Sequence, residues 1–227
     1  IRHAENRGTS GAVNTGFRYA SAKQYDWIWI LDGDSAPRKD ALEKLVSLYQ
    51  SFPLELQAQT RVLASLPVES TTQEPYHQVQ FTPRGTRIVR PEPGKEYHEF
   101  DGAIWTGCLF KLQVVRQIGL PSEDYVLDWG EYEYGYQGKR RGLRAFMHRE
   151  SIVDHNIGGP RSFKMSDLPP IRLFYNCRNV LYFWLYAYRP RNLFTLANVV
   201  GYLIFAFLLT GTFLLRPRTR HREMTAC

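Results

Sequence analysis

The stretch Trp27-Ile28-Trp29-Ile30-Leu31-Asp32-Gly33-Asp34 decides how the chain is read. Five apolar residues in a row, with no polar alternation, predict a short parallel strand buried on both faces. The run stops abruptly at two carboxylates that flank a glycine. Beyond it, Ser35 is an N-cap type and Pro37 suits a first helical turn. Leu42, Leu45, Val46 and Tyr49 then recur at helical spacing, so a helix is expected there. Strand, acidic turn, helix is the local order of a doubly wound α/β sheet, in which ligands sit at the carboxyl ends of strands. Asp32 and Asp34 can there share a hard cation and a ribose hydroxyl, because Mg²⁺ or Mn²⁺ is usually held by one or two carboxylates and substrate phosphates. Gly33 lets the backbone come close to a ligand. The plainer alternative is a solvated Asp-x-Asp turn with no ligand.

Upstream, Asn6-x-Gly8-x-Ser10-Gly11-Ala12-x-Asn14-x-Gly16 is a small-residue turn running into a helix that ends near Lys23. It permits close packing beside a phosphate-bearing ligand, or simply of a Gly-rich helix on a strand. It is not a P-loop, since no GK[ST] follows. Downstream, residues 53 to 100 are irregular, with Val62 to Leu66 as one strand, and no chemistry is assigned to them. Ala103 to Leu109 reads as a strand and Lys111 to Ile118 as a helix, closed by Gly119 and stopped by Pro121. Glu131 to Arg141 reads as a helix ended by Gly142. Arg144 to His148 and Ser151 to His155 are two short strands, and Leu173 to Tyr188 is an aromatic-rich helix.

Two further groups carry possible chemistry. Asp128-Trp129-Gly130-Glu131-Tyr132-Glu133 gathers three carboxylates at a helix N-terminus, where the dipole stabilises negative charge. They are either surface and capping residues or the source of a general base for an attacking hydroxyl. His155, at a strand end before Gly158-Gly159, is either structural or a ligand, since neutral imidazole suits Mn²⁺ and related ions.

Composition narrows the class. With 44% hydrophobic and 22% charged residues, the 227-residue chain is ordinary for a globular protein and long disorder is excluded. Cys108, Cys177 and Cys227 form no CxxC pair, which argues against a disulfide framework or structural zinc and fits a reducing compartment. The net charge of +7 fits nucleic acid, anionic lipid or a phosphorylated substrate equally. It is uneven: Arg189, Arg191, Arg216, Arg218, Arg220 and Arg222 flank Leu193 to Leu215, an uncharged run long enough to span a bilayer. A membrane surface or bilayer is therefore the expected partner of residues 189 to 227. Nucleic acid is not expected, because the arginines border an apolar segment instead of exposed aromatics on a sheet face.

Taken together, these elements resemble the family 2 glycosyltransferases with a GT-A fold, over about residues 1 to 188. Asn6, Gly8, Gly11, Asn14 and Gly16 are similar to that family's N-x-G-x-x-G-x-x-N-x-G segment, and Asp32-Gly33-Asp34 to its D-x-D. The resemblance implies donor contacts from Asn6, Gly11, Asn14 and Asp32, a metal held by Asp34 and His155, and Trp105-Thr106-Gly107 beneath the acceptor. The stretch Tyr125 to Arg141 resembles the acidic helix of rhamnosyltransferase-like and galactofuranosyltransferase-like members. This makes Glu131 the expected base with Asp128 beside it, although Glu stands where Asp is more usual and Gln137 where many relatives have Arg. Tyr175-Asn176-Cys177-Arg178-Asn179 is similar to the family's Y-x-x-R-N segment. The fold class expected is thus α/β, GT-A, lacking its first strand or strands, since the family's donor-base turn would precede Ile1. The implied reaction is metal-dependent transfer with inversion, from a dTDP- or UDP-sugar to a glycan or lipid-linked hydroxyl, at the cytoplasmic face of a membrane. Rhamnose is the first sugar to consider, galactofuranose the second. A sugar-phosphate nucleotidyltransferase would need a Gly-rich triphosphate signature that is missing here, and an inactive membrane scaffold would not need Asp32, Asp34 and His155.

Overall fold

The computed structural model describes residues 1–156, 169–188, 190 and 192–214, with side chains described as far as 208. Helix α1 (Gly8–Ala22) leads to strand β1 (Trp27–Trp29), the acidic turn, β2 (Ser35–Pro37), α2 (Ala41–Ser51) and α3 (Leu54–Gln59). Then come β3 (Thr60–Glu69), a hairpin of β4 (Gln78–Thr82) and β5 (Gly85–Val89), β6 (Tyr97–Phe100) and β7 (Cys108–Lys111). The chain continues through α4 (Leu112–Ile118), α5 (Gly130–Arg140), β8 (Arg144–His155) and α6 (Pro170–Tyr182). A single π-helical turn (Phe183–Ala187) extends α6, and α7 (Leu193–Leu214) follows.

The main sheet is mixed, in the order β1-β7-β3-β8-β2, with β6 also paired to β8. Only β3 and β8 run parallel. β3 is buried along its whole length and its side chains alternate between two layers. Val62, Ala64, Leu66 and Val68 meet Val13 and Phe17 of α1 on one face, while Leu63 meets Leu45 and Leu48 of α2 on the other. Phe17 and Leu45 are each 0% exposed, and burying a side chain of that size is worth about 1.5–3 kcal/mol. The two helices therefore clamp the sheet from opposite sides.

β8 is long and changes partners halfway. Its first half pairs with β6 (Tyr97↔His148 to Phe100↔Ala145), its second with β2 (Ser35↔His155 to Pro37↔Val153). A shift in the β3 pairing, from Ser65↔His148 to Leu66↔Ile152, marks the change. Irregularities of this kind bend a strand and re-aim its side chains.

Several expectations are corrected. β1 is the edge strand of the main sheet, antiparallel to β7, not a central parallel strand. Its run is apolar because both faces are covered: Trp27 and Trp29 pack with the α2 cluster, Ile28 and Ile30 with the α1 cluster. Ser35 and Pro37 are in β2, and the helix begins at Ala41 after Asp40; a proline is tolerated in an edge strand. The strand expected over Ala103 to Leu109 is Cys108–Lys111, because Gly107 turns the chain at φ 81°. The two short strands around Ser151 are one strand. The irregular region is built around the long β3 and the β4–β5 hairpin.

The segment expected to associate with a membrane forms α7, and Leu193, Leu196, Leu203, Ile204, Phe207 and Leu208 are exposed along it. Val199 and Tyr202 pack against the aromatic cluster of Phe183 and Trp184. Among the described residues no helix is long and apolar enough to cross a membrane. Arg189, Arg191 and the arginines from 216 onward lie outside the described residues, as does the Gly158-Gly159 loop.

Candidate metal and catalytic site

The acidic turn is fixed by its neighbours. Beyond β1 the pairing continues as Ile30 N–H donates to Cys108 O at 2.9 Å and Gly107 N–H donates to Ile30 O at 2.8 Å. Thr106, 0% exposed, then ties the turn from below. Its hydroxyl accepts from Asp32 N–H at 3.0 Å and donates to Ser35 Oγ at 2.9 Å. Ser35 Oγ in turn donates to Asp32 O at 2.8 Å. This closed ring of bonds sets the direction in which Asp32 and Asp34 leave the sheet.

His155 reaches the same place from the end of β8. It is paired with Ser35 on one side and Glu69 on the other, and Asn156 N–H donates to Asp34 O at 2.9 Å. Its Nε2 lies 3.2 Å from Asp34 Oδ1 and 3.7 Å from Asp32 Oδ2. One ligand atom from each of the three residues falls within 4.8 Å of the others. Burial holds the Asp32 carboxyl above its ordinary range, with Asp34 adding to the rise and His155 opposing it. Two carboxylates and one imidazole nitrogen make a donor set that fits Mn²⁺ or Mg²⁺, and a cation there would relieve the Asp32–Asp34 repulsion. Two details of His155 were not legible in sequence. The ring of Tyr76 lies 5.1 Å from it at 36°, and its Nδ1 is buried without a hydrogen-bond partner.

The acidic helix stands nearby. Glu131, half-buried in the first turn of α5, has its carboxyl pushed up to about 7 by burial. Its own backbone N–H and Arg172 oppose the rise, whereas the charges of Asp128 and Asp32 add to it, so the carboxyl feels the acidic turn. A carboxylate poised near neutrality suits general base work. Asp128 and Trp129 both have left-handed backbones, φ 58° and 69°, a strained pair of the kind held only when the surroundings insist on it. Here α6 insists. Asn179, 0% exposed, donates to Leu127 O at 2.6 Å and Asp128 O at 3.0 Å, and Arg178 donates to Asp124 O. Arg172 pairs with the Asp128 carboxylate at 3.2 Å, and Asn176 Nδ2 lies 3.5 Å from it. The Tyr175 to Asn179 segment thus clamps the loop that enters α5. Glu133 turns inward and accepts from Gln137 Nε2 at 2.9 Å.

The small-residue segment has a packing role in the structure. Asn6 accepts from Gly8 N–H at 2.8 Å. Asn14 is buried, donating to Pro121 O and accepting from Arg18 Nε, each at 2.8 Å. A Cβ on Gly8 would lie 1.9 Å from Val126 O, and one on Gly130 2.4 Å from Ser10 Oγ. Gly11 sits against Arg7. These residues let the start of α1 dock on the loop that carries Asp128. Trp105 is 4% exposed in the core, and a Cβ on Gly107 would crowd Ser65 and Val153 at 3.1 and 3.2 Å. The structure therefore brings Asp32, Asp34 and His155 together with Glu131 close by, places Thr106 beneath them, and gives Asn14 and Trp105 interior positions.

Comparison with known proteins agrees with this architecture. Residues 1–109 match the family model described as glycosyl transferase family 2. The crystal structure of GalNAc-T7 with UDP, GalNAc and Mn²⁺ aligns at a TM-score of 0.57 and 16% identity, over 92% of this chain. The chain spans 43% of that structure's length. The mixed sheet fits a GT-A fold. No curated protein sequence matches the chain.

Proposed function

We propose, for a chain whose residues 1–109 match the model of glycosyl transferase family 2, metal-dependent transfer of a sugar from a nucleoside-diphosphate donor to an acceptor hydroxyl. The observation that carries the proposal is the convergence of Asp32, Asp34 and His155 within 4.8 Å. When bound there, Mn²⁺ or Mg²⁺ acts as a Lewis acid that neutralises a departing diphosphate. The presence of an imidazole favours Mn²⁺, and the structural neighbour is a complex with UDP and Mn²⁺.

The residues divide the remaining work. Asp34 and His155 would hold the ion, with Asp32 beside them toward the donor. Glu131 accepts the proton of the acceptor hydroxyl as that oxygen attacks the anomeric carbon. Displacement in one step inverts that carbon and needs no covalent intermediate. Arg172, Asn176 and Asn179 keep Asp128 and the entry to α5 in place. Trp105, Thr106 and Gly107 form the floor under the acceptor side. Rhamnose is the sugar we propose first and galactofuranose second, on the resemblance of the Tyr125 to Arg141 stretch. The exposed apolar side chains of α7 and its arginine flanks support a lipid-linked acceptor met at a membrane's cytoplasmic face.

Calorimetric titration of dTDP and UDP, with and without Mn²⁺, tests the reading. Wild type should bind a nucleotide only with metal, and Asp34→Ala and His155→Ala should each weaken that binding more than about 10-fold. A folded wild type that binds neither nucleotide in a metal-dependent way would refute it.

A further inference from the structure

A histidine that ligates through Nε2 ordinarily has its ring held by a hydrogen bond from Nδ1 to a carboxylate, carbonyl or water. His155 is built differently. Nε2 is within hydrogen-bond distance of Asp34 Oδ1 at 3.2 Å and lies 3.7 Å from Asp32 Oδ2; ligation of a metal through Nε2 would leave the proton on Nδ1, and among the described residues Nδ1 is buried with no partner. The backbone of His155 is pinned by its pairings to Ser35 and Glu69. Among the described residues, the Nε2 contact with the carboxylates is the ring's one hydrogen bond, and none holds it from the Nδ1 side.

The flat face beside it is Tyr76, with centroids 5.1 Å apart and a tilt of 36°. Tyr76 is itself anchored through the main chain: its N–H donates to Pro67 O at 2.9 Å, and Pro75 bridges to Val68. Both contacts lie on β3, the strand that also pairs with His155. The Tyr76 ring and the His155 backbone are thus referred to the same strand. The loop between them is tied down as well, since Gln73 Nε2 donates to Asp154 Oδ1 at 3.1 Å and Arg38 makes an ion pair with Asp154 at 2.9 Å.

We infer that Tyr76 is the positioning residue of the metal centre: its ring face, in place of a hydrogen bond, holds the His155 imidazole with Nε2 aimed at Asp32 and Asp34. The inference rests on the metal reading of those three residues. What the position requires is a flat ring, so the phenolic hydroxyl is dispensable and an aliphatic side chain of similar bulk is not a substitute.

The test is direct titration of Mn²⁺ alone into the 227-residue chain by calorimetry, using wild type, Tyr76→Phe, Tyr76→Leu and Tyr76→Met, with His155→Ala as the blank. Circular dichroism at the titration temperature admits only folded variants, and the methionine variant carries the comparison if the leucine variant does not fold. Tyr76→Phe should stay within about twofold of wild type, whereas the leucine and methionine variants should lose about tenfold or more. Wild type itself supplies a second reading: the His155 ring protons of the metal-free protein should be shifted upfield in NMR spectra by the Tyr76 ring current. Leucine or methionine variants that bind like wild type would overturn the inference while leaving the metal site standing. A phenylalanine variant as weak as the leucine one would assign the effect to the hydroxyl and overturn it too. Absence of the upfield shift would do the same. Wild type that binds no Mn²⁺ beyond the His155→Ala blank would sink the metal reading and this inference with it.

Discussion

Replacing Glu131, the proposed base, with glutamine separates the cost of its carboxylate from its use. In the folded chain the carboxyl keeps its proton up to about 7, against an ordinary 4.5. Between those values the native state binds a proton that the unfolded chain has released, so stability falls as pH rises through this window. The contribution is nil below the unfolded value and fully unfavourable above about 7. At about 1.4 kcal/mol per pKa unit, the interval corresponds to at most about 3.5 kcal/mol. Glu131 is only half-buried, and solvent screening reduces this to about 1–2 kcal/mol. Glutamine carries no charge at any pH, so Glu131→Gln should match wild type near pH 4 and be more stable at pH 8.5. For a chain of this size the difference is about 3–6 °C in thermal midpoint, readable by scanning calorimetry at the two pH values. The same variant should lose about 10²–10⁴ in turnover, and the wild-type kcat/KM should rise through about pH 7 as the base ionises. A midpoint difference equal at both pH values would refute the reasoning, because the destabilisation would then not come from ionisation.

Two further outcomes follow from the supports of the site. Thr106→Val leaves the Asp32 N–H without its acceptor and should cost about 1–3 kcal/mol in urea unfolding, with weakened metal binding; Thr106→Ser should restore both. Asn179→Ala strips two donors from the carbonyls of Leu127 and Asp128. It should cost about 2–3 kcal/mol and release the strained Asp128-Trp129 turn, seen as faster proteolysis within residues 124–130 and lower turnover at unchanged Mn²⁺ affinity.

What could be read from the chain before its structure depended on the range of the interaction. The acidic turn was legible because an apolar run, two carboxylates and a helical repeat lie within some twenty residues. The acidic helix was legible because carboxylates gather at its start and Gly142 ends it locally. The edge position of β1 was hidden, since an edge strand covered on both faces has the same apolar pattern as a central one. β2 was mistaken for a helix start because Ser35 and Pro37 suit a first helical turn and are only tolerated in an edge strand, and the pairing with β8 alone reveals the strand. Thr106 was placed near the site, but its bond to the Asp32 N–H spans seventy-four positions of chain and no local pattern announces it. Tyr76 left no signal at all, since an aromatic in a proline-rich loop has nothing to mark it until β3 brings it against His155. The packing of Asn14 was hidden for the opposite reason: a buried asparagine fastening two segments has the same small neighbours as one facing a phosphate.

The pairing of Ser35 with His155 has a consequence for how the ion is acquired. The spacing between two of its three ligands is set by one rung of a β-ladder, and a slip of one residue would turn His155 to the opposite face of the sheet. Folding alone would then gather these candidate ligands, and uptake of an ion should carry little entropy of chain ordering. In small zinc domains metal binding and folding are a single event; here strand pairing sets the spacing of the candidate ligands, so a chelator is expected to leave the fold intact, which circular dichroism with and without EDTA would check.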